Sequence, residues 1–190
     1  MSSVPARRSD ARQNRERLIS AARELFAGDD VVALEAIAER AGVGIGTLYR
    51  HFPKREALVE AVYRNQVEEL RVAARALLET FSPAVALRAW MDLFARWAVV
   101  KRGMVQTIAA MRQSGQMDFD ASRREIEAII ASLLEAGVAA GELRGDVDPA
   151  DLRSMLAGTL TAAEGPEQAG RLFDLTMDAL RRAPTPDPQP

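Results

Sequence analysis

The 190-residue sequence contains no cysteine, a single histidine and few aromatic residues. The absence of cysteine excludes disulfides, thiolate metal sites and cysteine nucleophiles, and it fits a reducing cytosol. A single histidine excludes every metal site that needs two imidazoles. The chain carries 25 Lys and Arg against 27 Asp and Glu, so the charge balance indicates no nucleic-acid partner by itself. Any such partner would have to be bound by a local patch.

Long apolar runs are also absent. The most apolar stretch, residues 155–163, lies between Arg153 and Glu164 and is too short to cross a bilayer. Charged residues follow Arg7 and Arg8, where a signal peptide would need an apolar segment. The sequence therefore predicts a cytoplasmic protein with no membrane partner.

What the sequence does contain is helical periodicity. Apolar residues recur at intervals of three and four, as in Leu18, Ala22 and Phe26, which is typical of the core face of a helix. Glycine or proline interrupts each stripe, and Asp148 before Pro149 is typical of a helix start. The spacing predicts an all-α chain of about nine helices, with three short helices before residue 55 and longer ones after it.

One stretch of the amino-terminal part points to a function. Residues 37–58 read IAERAGVGIGTLYRHFPKREAL, with two short helical patterns joined across Gly42. Glycine at a helix end readily adopts the left-handed conformation, and two helices joined by a short turn predict a helix-turn-helix whose second helix enters the major groove. On that second helix, Thr47 and Arg50 lie on the face opposite the apolar stripe and are therefore available to DNA.

The same stretch resembles the signature of the tetracycline-repressor (TetR) family of transcriptional regulators. The resemblance implies an all-α homodimer in which a three-helix DNA-binding domain with a helix-turn-helix precedes a larger helical bundle for effector binding and dimerisation. We accordingly expect a flexible amino-terminal arm at 1–11, the DNA-binding domain at 12–54, the ligand-binding and dimerisation domain at 55–183, and a disordered tail at 184–190.

The resemblance, together with the positions on the second helix, implies a set of DNA-contacting residues. Arg50 is the expected reader of a guanine, and Arg55 is expected to grip the phosphate backbone with Lys54 as a second cation. Tyr49 also fits the apolar stripe, so a purely structural role stays open for it, and His51 has the alternative of an ordinary surface histidine. The full set is Gly44, Ile45, Thr47, Tyr49, Arg50, His51, Lys54 and Arg55.

Two departures from the family pattern predict modest DNA affinity. Val32 and Ala33 stand where a hydroxyl often opens the second helix, so a side-chain cap and phosphate contact are missing. Gly44 and Ile45 replace a polar or basic pair at the start of the recognition helix, where Ile45 has a thymine methyl as its expected contact.

Aromatic residues and methionines concentrate after residue 89, which favours an adaptable apolar pocket. The resemblance places a small effector there, although the same side chains have the alternative of a filled core. The candidate lining residues are Trp90, Met91, Phe94, Trp97, Met104, Ile108, Met111 and Phe119.

The last two predicted helices carry apolar residues beside small ones such as Gly158, which allows another helix to approach closely. The resemblance implies that they pair across a two-fold axis as a four-helix bundle, whereas packing within one chain is the alternative. The candidate interface residues are Leu152, Met155, Leu156, Thr159, Leu172, Phe173, Thr176 and Leu180.

These patterns together predict a homodimeric repressor that binds a pseudo-palindromic double-stranded DNA operator and is released by a small, largely apolar effector. They imply no catalytic residue, no metal and no cofactor. Two alternatives stay open, namely a helical-bundle enzyme or cofactor-binding protein that uses the carboxy-terminal helices, and a ligand-independent DNA-binding scaffold.

Overall fold

A computed structural model of the chain describes residues 4–28, 32–116 and 118–181, with the side chains of residues 4–8 and 119 left outside the description. The described residues form helices and no strand, which confirms the all-α prediction. The predicted disordered tail at 184–190 lies outside the described residues. The helices are α1 (Val4–Gly28), α2 (Leu34–Arg40), α3 (Ile45–His51), α4 (Arg55–Thr80), α5 (Pro83–Arg102), α6 (Val105–Gln113), α7 (Phe119–Ala139), α8 (Pro149–Ala162) and α9 (Pro166–Leu180).

Helix α1 begins earlier than the sequence pattern predicts. It starts at Val4, so residues 4–11 of the expected flexible arm belong to a helix. Pro5 does not prevent this, because the first turn of a helix contains amides that have no intrahelical acceptor in any case. The residues between Pro5 and the first core position contain no further helix breaker.

Two helix starts in the carboxy-terminal part are capped by carboxylates. The side chain of Asp148 accepts a hydrogen bond of 2.7 Å from the amide of Ala150, with Pro149 in the first turn, as predicted. At α5, the amide of Ala84 donates instead to Glu142, at 2.8 Å. The cap of α5 is therefore supplied by a residue 58 positions away in the sequence.

The chain divides into two compact units. Of the described residues, those within 4–66 and 97–119 form the first unit, and those within 67–96 and 120–181 form the second. The first unit extends beyond the predicted boundary at residue 54, because Leu58 and Val62 of α4 are fully buried. Helix α6 also belongs to the first unit.

The core of the first unit is built by its short helices. Phe26 of α1, Ile37 of α2 and Leu48 of α3 are each at most 1% exposed. Across the surface, Arg40 donates to Glu24 at 2.7 and 3.0 Å, which ties α2 to α1. The three helices thus form one small domain around an apolar centre, as expected for a helix-turn-helix domain.

In the second unit, α7 buries an apolar stripe that includes Ile126, Ile130 and Leu133. Trp90 of α5 is fully buried, and its indole Nε1 donates to the carbonyl oxygen of Leu70 at 3.0 Å. An ion pair of 2.8 Å between Arg153 of α8 and Glu127 of α7 is about four-fifths buried on both sides. These contacts fix α4, α5, α7 and α8 within the unit.

Candidate nucleic-acid interface

The turn between α2 and α3 has the geometry that the sequence predicts. Gly42 has a φ of +67°, in the left-handed region that glycine adopts without a steric penalty. Its amide donates to Glu39 and the next amide, of Val43, donates to Ala38, both at 3.0 Å, which ends α2. Gly44 then caps α3 in an extended conformation without a side-chain hydrogen bond. The tight turn fixes the direction in which α3 leaves.

Helix α3 has one buried and one exposed side. Leu48 is fully buried, and Phe52 directly after the helix is 2% exposed. Ile45 and Tyr49, by contrast, are 38% and 45% exposed. Tyr49 is therefore not a core residue, which was the alternative that its place in the apolar stripe left open. Ile45 and Tyr49 lie four positions apart, so they are neighbours on the exposed side of α3.

Among the polar residues of α3, Arg50 is exposed and Thr47 is half-buried. The guanidinium of Arg50 donates to the carbonyl oxygen of Gly46 at 3.1 Å and to the hydroxyl of Thr47 at 3.2 Å. Arg50 therefore folds back along the helix. His51 is half-buried, and its ring centroid lies 6.4 Å from that of Phe52.

Arg55, expected to grip phosphate, is already engaged inside the first unit. It is part-buried, its Nη1 donates to the carbonyl oxygen of Val32, and its Nε donates to Thr107 of α6 at 3.2 Å. The guanidinium also lies 5.5 Å from the centre of the Phe26 ring. Lys54, the residue before it, is exposed and forms no ion pair with another described residue. Of this basic pair, Lys54 is the one available to phosphate.

Two arginines of α1 are also partnered. Arg12 forms an exposed ion pair of 3.3 Å with Glu16 on the same helix. The guanidinium of Arg15 lies 5.3 Å from the centre of the Phe52 ring, at the end of α3. The sequence pattern did not identify this contact, because a cation–π pair between distant positions leaves no periodic signal.

The predicted pocket residues divide between the two units. Trp90, Met91 and Phe94 are buried in the second unit, where the Trp90 and Phe94 rings stack at a centroid distance of 5.5 Å. Four residues are buried in the first unit, and the side chain of Phe119 lies outside the description. The buried residues of the first unit are Trp97, Met104, Ile108 and Met111. The single apolar cluster predicted from the sequence is therefore two separate clusters, one in each unit.

A polar residue that the sequence pattern missed lies in the first unit. Gln66 of α4 is 6% exposed, and its Oε1 has no hydrogen-bond partner among the described residues. No signal in the sequence indicated this burial, since a glutamine on a helix is usually exposed.

The second unit carries a surface groove of about 500 Å³ between α4 and α7, and its lining includes Arg71, Arg75 and Glu125.

The predicted interface residues also divide into two groups. Most are buried within the chain itself and are therefore not available to a second copy: Leu152, Leu156, Phe173, Thr176 and Leu180. Met155 remains 45% exposed, and Thr159 and Leu172 are half-buried. Leu175, which the prediction omitted, is 64% exposed. The exposed apolar residues of α8 and α9 therefore lie on a different side of each helix from most of the predicted interface residues.

Within the part of the chain that the structure describes, no cluster of three or more His, Cys, Asp or Glu residues is arranged to hold a metal ion. Over the same residues, no helix combines the length and the apolar character that a membrane crossing requires.

The fold and the turn define a helix-turn-helix protein with a helical carboxy-terminal domain. Residues 18–62 match the family model of bacterial regulatory proteins of the tetR family, and residues 82–182 match that of the carboxy-terminal domain of SbtR-like transcriptional regulators. The chain belongs to the TetR family of bacterial transcriptional regulators.

Solved structures and curated relatives agree with this assignment. A TetR transcriptional regulator of Streptomyces coelicolor is 42% identical over 88% of this chain and 98% of that chain, with a TM-score of 0.80. A TetR transcription regulatory protein of Mycobacterium vanbaalenii is 33% identical over 92% and 99%, with a TM-score of 0.72. An HTH-type transcriptional regulator of Staphylococcus aureus strain USA300 is 26% identical over 106 residues, which are 54% of this chain and 57% of that relative. The chain therefore spans little more than half the length of the curated relatives it matches.

Proposed function

We propose that this TetR-family regulator is a homodimeric repressor that binds a pseudo-palindromic operator through α3 and is released by a small, largely apolar effector. The observation that carries the proposal is the exposed side of α3, where Ile45 and Tyr49 have no role in the core while Leu48 anchors the opposite side. A dimer places two such helices in successive major grooves, about 34–36 Å apart.

The exposed residues suggest a division of roles on DNA. Arg50 can exchange its contacts to Gly46 and Thr47 for a bidentate contact to guanine, because both lie on the helix surface. Lys54 takes the phosphate role first assigned to Arg55, since Arg55 is held inside the first unit. The roles of Thr47 and His51 are contacts to adjacent bases or phosphates.

The experiment is selection of bound fragments from a random DNA library, followed by titration of variants on the selected sequence and on random DNA. Arg50→Ala is expected to lower affinity for the selected sequence about 5- to 100-fold while changing random-DNA binding little. Lys54→Ala is expected to weaken both and to reduce the salt slope by about 1. Arg64→Ala on α4, an exposed ion-paired arginine outside α3, serves as the control. Equal losses on both DNAs for Arg50→Ala and Lys54→Ala would contradict the division of roles.

The dimer is proposed to form through the exposed strip of α8 and α9. Met155 and Thr159 lie one turn apart on α8, and Leu172 and Leu175 lie one turn apart on α9. Exposed apolar side chains in helical register allow a second copy to pack by the same strip, as a two-fold interface requires. Gly158 also allows a helix of the second copy to pack closely, because no atom lies within 4 Å of the position that a Cβ would occupy.

Two matched variants test this interface. Leu175→Glu is expected to convert the protein to a monomer by light scattering, because it places a charge in an apolar contact. Val72→Glu changes another exposed apolar residue, 54% exposed on α4, and is expected to leave the oligomeric state unchanged. A Leu175→Glu protein that remains dimeric would place the interface elsewhere.

The effector is proposed to bind in the first unit, among Trp97, Met104 and Met111, rather than around Trp90. The indole of Trp90 is hydrogen-bonded to Leu70, and its ring stacks on that of Phe94, so these residues form a filled core. Methionines adapt their side chains to a guest molecule at low cost. An effector that binds one conformation better than the other would shift the separation of the recognition helices and so release DNA.

A further inference from the structure

In the interior of the first unit, Gln66 carries a buried polar atom that the fold itself does not use. Gln66 is 6% exposed, and its Oε1 accepts no hydrogen bond from any described residue. Buried polar atoms almost always find a partner, and one left unpaired destabilises the folded state. An unpaired buried carbonyl therefore calls for an occupant that donates a hydrogen bond.

The surroundings of Gln66 are apolar and aromatic. Tyr63 lies one turn earlier on α4, so its side chain is a neighbour of Gln66 on the same side of the helix. The Tyr63 ring meets that of Trp97 edge-on, with centroids 5.8 Å apart, and Tyr63 is 3% exposed. The carbonyl thus belongs to the side of α4 that packs towards Trp97.

The other groups of this region favour an uncharged guest molecule. Lys101 Nζ lies 4.9 Å from the centre of the Trp97 ring, where it takes part in a cation–π contact. Met104 and Met111, each 1% exposed, belong to the same unit and are buried apolar groups. A buried carbonyl oxygen in such an apolar unit pairs best with a neutral hydroxyl or amide N–H, because a buried charge carries a much larger desolvation penalty.

From the unpaired Oε1 of Gln66 and its aromatic surroundings, we infer that the effector is a small, neutral, largely apolar molecule with a hydrogen-bond donor, which donates to Gln66. This inference rests on the effector site proposed above and names the chemistry that the site accepts. Gln66 acts as the specificity-determining residue, since apolar contacts alone do not distinguish a donor from an acceptor.

The test uses two probes of matched length, 1-octanol, which donates and accepts a hydrogen bond, and 1-methoxyheptane, which only accepts one. Binding to the full chain is followed by tryptophan emission and by calorimetry, without DNA. The wild-type protein is expected to bind 1-octanol about tenfold more tightly than the ether, the ratio that one buried hydrogen bond supplies. In Gln66→Met, affinity for 1-octanol is expected to fall to that for the ether.

The chain offers a matched control in Gln106→Met, the same substitution at an exposed glutamine of α6, which is expected to leave the tenfold ratio intact. Gln66→Met is also expected to raise the Tm of the free protein, and Gln106→Met to leave it unchanged, because only the former removes an unpaired buried carbonyl. Gln66→Leu repeats the measurement if the methionine variant does not fold.

Equal affinity of the wild-type protein for both probes, saturable binding of neither, or a ratio that survives Gln66→Met would each overturn the inference. Binding of the wild-type and Gln66→Met proteins to the selected DNA, measured without a probe, is expected to be the same. Loss of DNA binding by the wild-type protein itself would instead count against the proposed regulator function, so the two failures are distinguishable.

Discussion

Gly103, in the turn between α5 and α6, is expected to tolerate no side chain. A Cβ at this position would lie 2.1 Å from the carbonyl oxygen of Phe26 and 2.9 Å from its carbonyl carbon, whereas real Cβ contacts essentially never fall below 3.0 Å. The obstructing atoms are backbone, so no rotamer change relieves the overlap. Gly103→Ala therefore requires a backbone shift of about 1 Å where the turn meets the end of α1.

The size of the effect follows from this overlap. Overpacking of this kind costs about 1–3 kcal/mol of unfolding free energy, which lowers Tm by about 2–12 °C in a chain of this length. Gly46→Ala on α3 serves as the matched control, because its Cβ meets no atom within 4 Å. It should raise stability by about 0.5–1 kcal/mol through helix propensity. The assay is thermal unfolding by circular dichroism, and a Gly103→Ala protein at least as stable as the wild type would refute the reasoning.

Three further predictions test other contacts. Trp90→Phe removes the buried indole hydrogen bond to α4 and should cost about 1–3 kcal/mol in urea unfolding; an unchanged midpoint would contradict this. Arg55→Gln should lower Tm and weaken DNA binding without changing the salt slope of that binding. Lys54→Gln should leave Tm unchanged, weaken DNA binding and reduce the salt slope, and a reduced slope for Arg55→Gln would restore the phosphate role of Arg55. Hydrogen bonding to Arg144 lowers the pKa of Asp146 from 3.8 to about 2. Because this pKa is lowered on folding, the stabilisation is present above pH 3.8 and is lost as pH falls towards 2. The stability gap between wild type and Arg144→Gln should therefore close over that range, and a gap that is constant with pH would argue against the pairing.

Helix order and most helix ends were predictable because they depend on local signals. Gly42 provides the left-handed residue and Asp148 provides the cap, and both act within a few residues of their own position. The beginning of α1 at Val4 was missed because proline near a helix start neither prevents nor requires a helix.

The orientation of the carboxy-terminal helices was less predictable, and α9 shows why. Leu172, Phe173 and Leu175 together span an arc of about 160° around the helix. The structure buries Phe173 and exposes Leu175, a choice made by the neighbouring helices of the unit. Periodicity identifies an apolar side, yet it does not state which of two partners, the same chain or a second copy, covers it.

The position of Arg55 shows the same limit for a charged residue. An arginine at the start of a helix beside a DNA-binding motif is expected at the surface, yet its partners Val32 and Thr107 are 23 and 52 positions away. Contacts over such separations depend on the folded arrangement of α1, α2 and α6, which no local pattern contains. The role of a site residue is therefore predictable from sequence when the residues that it contacts in the fold are also close to it in the sequence.

Helix α3 separates the requirements of folding from those of binding. It has seven residues and no side-chain cap, and Leu48 is the one residue of the helix that is fully buried. A helix this short is not stable alone, so packing of Leu48 and of the adjacent Phe52 holds it in place. The exposed positions, including Tyr49 and Arg50, contribute little to that packing. Sequence change at these positions can therefore alter the operator that is recognised while the domain that presents α3 keeps its stability.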